Sequence, residues 1–178
     1  QEWRAGGINL AIFFDHEEIG SRSKQGAASL LLRDILSRIV TALGADAKEV
    51  QTALYQSMLL SVDVAHALHP NQPGKMDVTN QPVLNGGFCL KEASSQSYAT
   101  DCKAVAIVQQ ICEANGISYQ KFVNRSDIAG GSTLGAIASA LLPVPTVDLG
   151  IPVLAMHSAR EMMGTNDIGS LTACIRAW

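Results

Sequence analysis

The sequence predicts an α/β fold in which a mainly parallel or mixed sheet carries helices on both faces. Three observations lead there. Short apolar runs of strand length alternate with segments whose apolar residues recur at helical spacing. The runs are apolar at successive positions, as strands covered on both faces are. Gly44, the Pro/Gly/Asn-punctuated stretch over 66–80 and Asn115-Gly116 separate the segments as turns between elements do.

The elements follow in order. Residues 8–15 (INLAIFFD) read as a buried strand ending in an acid. Over 26–44, Leu31, Ile35, Ile39 and Leu43 recur at helical spacing, and Gly44 stands where a helix stops. A shorter helix is expected over 47–56 and a buried strand over 58–65 (MLLSVDVA). Residues 66–80 form a loop punctuated by Pro, Gly and Asn, and 83–92 an irregular strand broken at Gly86 and Gly87. Val105, Val108, Ile111 and Cys112 share one face of a helix over 100–115, which Asn115-Gly116 ends. A strand over 119–124 follows, then a small-residue helix opened by Gly130-Gly131-Ser132-Thr133 and running to Leu141. Two paired short strands over 146–149 and 152–156, and a last helix over 168–178, complete the chain. At 178 residues the length suits one domain, 1–178, with no repeat or linker.

Hydrophobic residues make up 47% of the chain, yet no stretch approaches the roughly 20 apolar residues of a membrane span. Charged residues are 16%, against about 25% in ordinary soluble proteins, so large faces are expected to be buried in an oligomer or covered by a further segment. A net charge of −3 offers no attraction for nucleic acid or an anionic membrane surface. Cys89, Cys102, Cys112 and Cys174 form no CxxC pair and read as reduced, buried thiols of a cytoplasmic protein.

Three runs end in zinc-type ligands: Asp15-His16-Glu17-Glu18 after the first, Asp63, His66 and His69 within and after the second, and His157 after the last. Singly, Glu17-Glu18 reads as a solvated pair and His157 as a hydrogen-bonded core histidine. Asp63 is harder to dismiss, because a carboxylate inside an apolar strand needs a metal, a cation or donors.

These segments resemble the aspartyl aminopeptidases. The resemblance rests on DHEEIGS (15–21), SVDVAHALHPN (61–71), NRSD (124–127) leading into GGST (130–133), and VDLGIP (147–152) followed by LAMHS (154–158) and Arg160-Glu161. It spans nearly the whole chain and implies a zinc-exopeptidase-like fold, here the C-terminal portion of one metallopeptidase catalytic domain, truncated on its N-terminal side. The implied activity is release of N-terminal, acidic residues from peptides by two zinc ions in a homo-oligomer. By position, Glu17 is the implied general base and acid, Glu18 and His157 ligate one zinc, and Asp63 ligates the other. His66 contacts substrate, and Lys91 and Tyr98 line the pocket for the first side chain, where an ammonium favours an acidic residue. Without the resemblance, Lys91 reads as an ordinary exposed lysine. His69 reads more readily as ordering its loop than as a ligand, and the GGST segment as a substrate-facing helix start or a plain turn.

The family's site also needs a histidine and a bridging aspartate from segments before DHEEIGS, and residues 1–14 contain neither. The 178 residues alone are therefore expected to be inactive. The competing reading is non-catalytic, a degenerate homologue or an assembly or binding fragment. Retention of Glu17, Glu18, Asp63 and His157 argues against it.

Overall fold

A computed structural model describes residues 7–178, and residues 1–6 lie outside it. The chain divides into two compact units, 1–52 and 53–178. In the first, α1 (Leu31–Ala42) ends at Gly44, whose positive φ of 100° lets its amide bond to the carbonyl of Thr41 while Ala45 N–H reaches Val40. This paired closure satisfies two carbonyls at the helix end, as the sequence signal at Gly44 requires. Next, α2 (Ala47–Tyr55) starts in a reciprocal cap. Asp46 Oδ1 accepts from the amides of Lys48 and Glu49, and Glu49 Oε2 accepts from the amide of Asp46. The division between the units falls inside α2.

One expected strand is absent. Residues 8–15 join no ladder, and Phe13 is 95% exposed. Strand character requires a partner for alternate N–H and C=O groups, and among the described residues none pairs with this run.

The second unit holds a five-stranded mixed sheet. Its strands are β1 (Leu59–His66), β2 (Phe88–Glu92), β3 (Tyr119–Val123), β4 (Thr146–Leu154) and β5 (Met162–Met163), in the order β1-β4-β2-β3 with β5 on β4. β1 runs parallel to β4 and β2 parallel to β3, while β4 meets β2 and β5 antiparallel. The two short strands expected over 146–156 are one continuous strand, because Gly150 keeps partners on both sides, Asp63 in β1 and Cys89 in β2. The irregular strand expected over 83–92 is reduced to its second half, and β5 gave no sequence signal.

Side chains on a strand alternate between faces, and the two faces of this sheet differ. Phe88, Leu90, Val147 and Leu149 face α3 (Cys102–Asn115) and α5 (Thr165–Ala177), building the main apolar core with Val108 and Leu171. The other face carries Ser61, Asp63, Cys89, Lys91 and Asp148, and α4 (Leu134–Leu141) packs against β1 and β4 there. Helices thus lie on both faces of a mixed sheet, as expected. α3 opens on Asp101, whose Oδ1 accepts from Ala104 N–H while Oδ2 accepts from Thr146 N–H, so one residue caps the helix and ties it to β4.

All four cysteines are free thiols, but Cys102 is exposed, because it lies off the face of α3 that Ala104, Val105, Val108 and Cys112 bury. Burial pushes the Cys89 thiol up to about 12. No helix among the described residues is long and apolar enough to cross a membrane.

Asp167, fully buried at the start of α5, accepts from the amides of Asn85 and Gly87, each at 2.8 Å. This clamp fixes the turn that leads into β2. Asp167→Ala strands the buried Gly87 donor and the partly buried Asn85 donor and should cost about 3 kcal/mol. A urea unfolding midpoint close to wild type would show that the clamp carries no such weight.

Candidate active site

Each unit presents part of the expected site. In the first, Glu17 and Glu18 stand on a single 3-10 turn, Glu17–Ile19, rather than at a strand end. His16, Gly20 and Ser21 around it all have positive φ. Gly20 N–H bonds to the Glu17 carbonyl at 2.9 Å, Ser21 N–H to the His16 carbonyl at 2.8 Å, and the His16 ring meets Ser23 Oγ at 2.9 Å. The turn therefore holds its two carboxylate residues on tightly folded backbone, Glu17 half-buried and Glu18 exposed.

In the second unit, the polar residues of β1 and β2 converge. Lys91 is not an exposed lysine: it is 3% exposed. Its Nζ donates to the Val64 carbonyl at 2.7 Å, lies 3.9 Å from Asp63 Oδ2, and sits 4.5 Å from the centroid of the Tyr98 ring. A buried ammonium needs such compensation, and here it combines a carbonyl, a carboxylate and an aromatic face. Asp63 is partly open, its side chain 41% exposed. The structure thus brings together Asp63, Lys91 and Tyr98. Burial pushes the Tyr98 hydroxyl up, and the charges of Asp148 and Asp63 push it further, against a 3.4 Å contact to Asn124 Oδ1.

His66 closes β1, its ring 6.3 Å from that of Phe122. Partial burial, then repulsion from Lys91 and His157, holds its imidazole below the ordinary value. His157 follows β4, on a loop where Ala155 and His157 have φ of 56° and 67°. Left-handed backbone costs a non-glycine residue about 1–3 kcal/mol and tends to persist where a side chain must be aimed. Glu161 helps to hold this loop, accepting from the His157 amide. His69 orders its own loop, Nδ1 accepting from Asn71 N–H at 3.1 Å. The GGST segment precedes α4, with Thr133 buried at its N-cap.

The sequence reading passed over Asp148, which is 0% exposed, and Thr100, which bonds to it. The signal was available. Val147-Asp148-Leu149 places an acid inside an apolar strand, the same argument that singled out Asp63.

These donors can be tested against a metal. Asp63, His66 and His157 offer the carboxylate oxygen and imidazole nitrogen that zinc takes. Among the described residues of this unit, however, no three His, Cys, Asp or Glu side chains gather to hold one. The atoms are of the right kind and too few for a cage of three or four protein ligands.

Comparison with known proteins gives the family. The sequence model described as aminopeptidase I zinc metalloprotease (M18) matches residues 3–178. The chain belongs to the M18 aminopeptidase family. It is similar to a probable M18 family aminopeptidase 2 of Clostridium acetobutylicum, 47% identical over 159 residues covering 89% of this chain and 37% of that protein. It is also similar to a probable aspartyl aminopeptidase of Ricinus communis, 41% identical over 91% of this chain and 33% of that protein. Among solved structures, the S. cerevisiae mApe1 dodecamer matches with a TM-score of 0.80 at 31% identity, over 92% of this chain and 36% of that one. This M18 chain therefore spans roughly a third to two fifths of the length of these relatives.

The electrostatic grouping is testable by titration. A depressed imidazole pKa means that the unfolded chain binds the proton more readily, so the contribution of His66 to stability is intact above about pH 6.5 and is lost as the pH falls below that. In metal-free protein, the His66 NMR titration midpoint should lie below 6.5 and should rise in Lys91→Met, which removes a positive neighbour. A midpoint unmoved by that substitution would separate the two groups.

Proposed function

We propose that the protein carrying this chain is a two-zinc aminopeptidase that releases acidic N-terminal residues, Asp or Glu, from peptides. The observation that carries this reading is the Lys91 ammonium, buried against Tyr98 and 3.9 Å from Asp63. A fixed, desolvated positive charge beside a candidate metal ligand suits a substrate whose first side chain is a carboxylate. Family membership and the aspartyl aminopeptidase relative support the same substrate class.

In this reading Glu17 takes a proton from the attacking water and returns it to the leaving amine, a role that suits a half-buried carboxylate on a rigid turn. Glu18 and His157 belong to one zinc and Asp63 to the other, with the remaining ligands supplied from outside these 178 residues. His66 contacts the substrate, and Lys91 and Tyr98 wall the pocket for its first side chain. The protein works as a cytoplasmic homo-oligomer with peptides as its partners. The dodecameric yeast relative supports assembly, as do exposed apolar side chains such as Met162 and Ile175.

The deciding experiment replaces Lys91 in the full-length protein. Lys91→Met should lower kcat/KM on Asp- and Glu-anilides by about 100-fold while sparing neutral substrates, since a buried charge pair carries roughly 3 kcal/mol. Equal loss on every substrate would overturn the assigned pocket. A second expectation concerns the isolated chain, whose metal cage is incomplete: it should bind at most one metal, weakly, and hydrolyse nothing. Metal analysis finding two zinc ions per chain, or cleavage of Asp- or Glu-anilides, would contradict it.

A further inference from the structure

Asp148 occupies the middle of β4, fully buried, on the face that carries Lys91 and directly opposite it in the antiparallel register with β2. Its Oδ2 accepts from the Ala99 amide at 2.6 Å, and its Oδ1 meets no hydrogen-bond donor among the described residues. α4 closes over this oxygen with bare backbone: a Cβ on Gly135 would stand 2.6 Å from Oδ1. Thr100 completes the arrangement. Its hydroxyl donates to the Lys91 carbonyl at 2.5 Å and accepts from the Asp148 amide at 2.9 Å.

The two residues that follow Tyr98 are thus fastened to β4 and β2, the strands that bear Asp148 and Lys91. A neutral amide oxygen would accept from Ala99 equally well. A carboxylate there adds a buried negative charge on the sheet face that also carries the Lys91 side chain. A buried carboxylate with one oxygen unsatisfied is costly, so a role beyond holding a loop is called for.

We propose that Asp148 and Thr100 are positioning residues for substrate selection, holding the Lys91 ammonium and the Tyr98 ring in the one arrangement that receives an acidic side chain. The proposal rests on the aminopeptidase reading above and adds the part of the molecule that sets its selectivity without touching the substrate. It predicts that the two residues act on substrate choice and not on the reaction step.

The test uses the full-length, zinc-loaded protein with Asp-, Glu- and Leu-anilide substrates, comparing wild type with Asp148→Asn, Thr100→Val and Thr100→Ser. Asp148→Asn and Thr100→Val should each lower the acidic-over-neutral ratio of kcat/KM about tenfold, mostly through KM on the acidic substrates, with kcat within about twofold. Thr100→Ser keeps the hydroxyl and should keep the wild-type ratio. Folded variants with an unchanged ratio, or with equal losses on all three substrates, overturn the proposal while leaving the aminopeptidase reading intact. If Asp148→Asn fails to fold, the contrast between Thr100→Val and Thr100→Ser decides. If Thr100→Val also fails to fold, the tie is scaffold alone and the proposal is overturned. A wild-type protein that is inactive, or that prefers the neutral substrate, overturns both readings and is recognised from the wild-type arm by itself.

Discussion

A primary ammonium taken out of water must be compensated, and in the second unit that requirement organises the polar face of the sheet. Lys91 finds a carbonyl from β1, a carboxylate two residues along β1 from the strand's inward alanine, and an aromatic face from the segment after β2. No one of these suffices to replace hydration of a full charge. Together they draw β1, β2 and the 98–100 segment to one place. The candidate ligand Asp63 and the candidate wall Tyr98 are neighbours because each borders this one cation, and its charge also lowers the basicity of the candidate substrate contact His66.

The strand that makes this possible is β4. It lies between β1 and β2, parallel to the first and antiparallel to the second, so its two edges are both paired. Alternation along it sends Val147 and Leu149 into the apolar core under α3 and α5 and sends Asp148 to the opposite face. Its last residues lead into the left-handed turn that carries His157. Core, polar knot and candidate ligand are therefore built from one run of about a dozen residues.

The local part of this architecture was legible in the residues. Gly44 ended α1 and Gly116 followed α3 as their placement after apolar-periodic segments implied, and a helix of nearly the expected span followed Ala47. The strand over 58–65 was displaced by one residue. These features depend on backbone propensities and periodicity within a few turns of chain, which a single sequence carries. The ordered motifs from DHEEIGS to MHS carried the resemblance to the family.

Tertiary structure decided the rest. Residues 8–15 have the composition of a buried strand and no ladder among the described residues, since pairing belongs to two segments and not to one. The continuity of β4 across Gly150 followed from partners on both sides, Asp63 and Cys89, which lie far away in the chain. Lys91 read as exposed when taken alone and is among the most buried charged groups, while Asp148 went unremarked in a motif read for its neighbours. By itself the sequence determined which segments are helical and which family the motifs resemble. Only folding determined which charges lose their water and which partners replace it, because desolvation is set by atoms brought from distant parts of the chain.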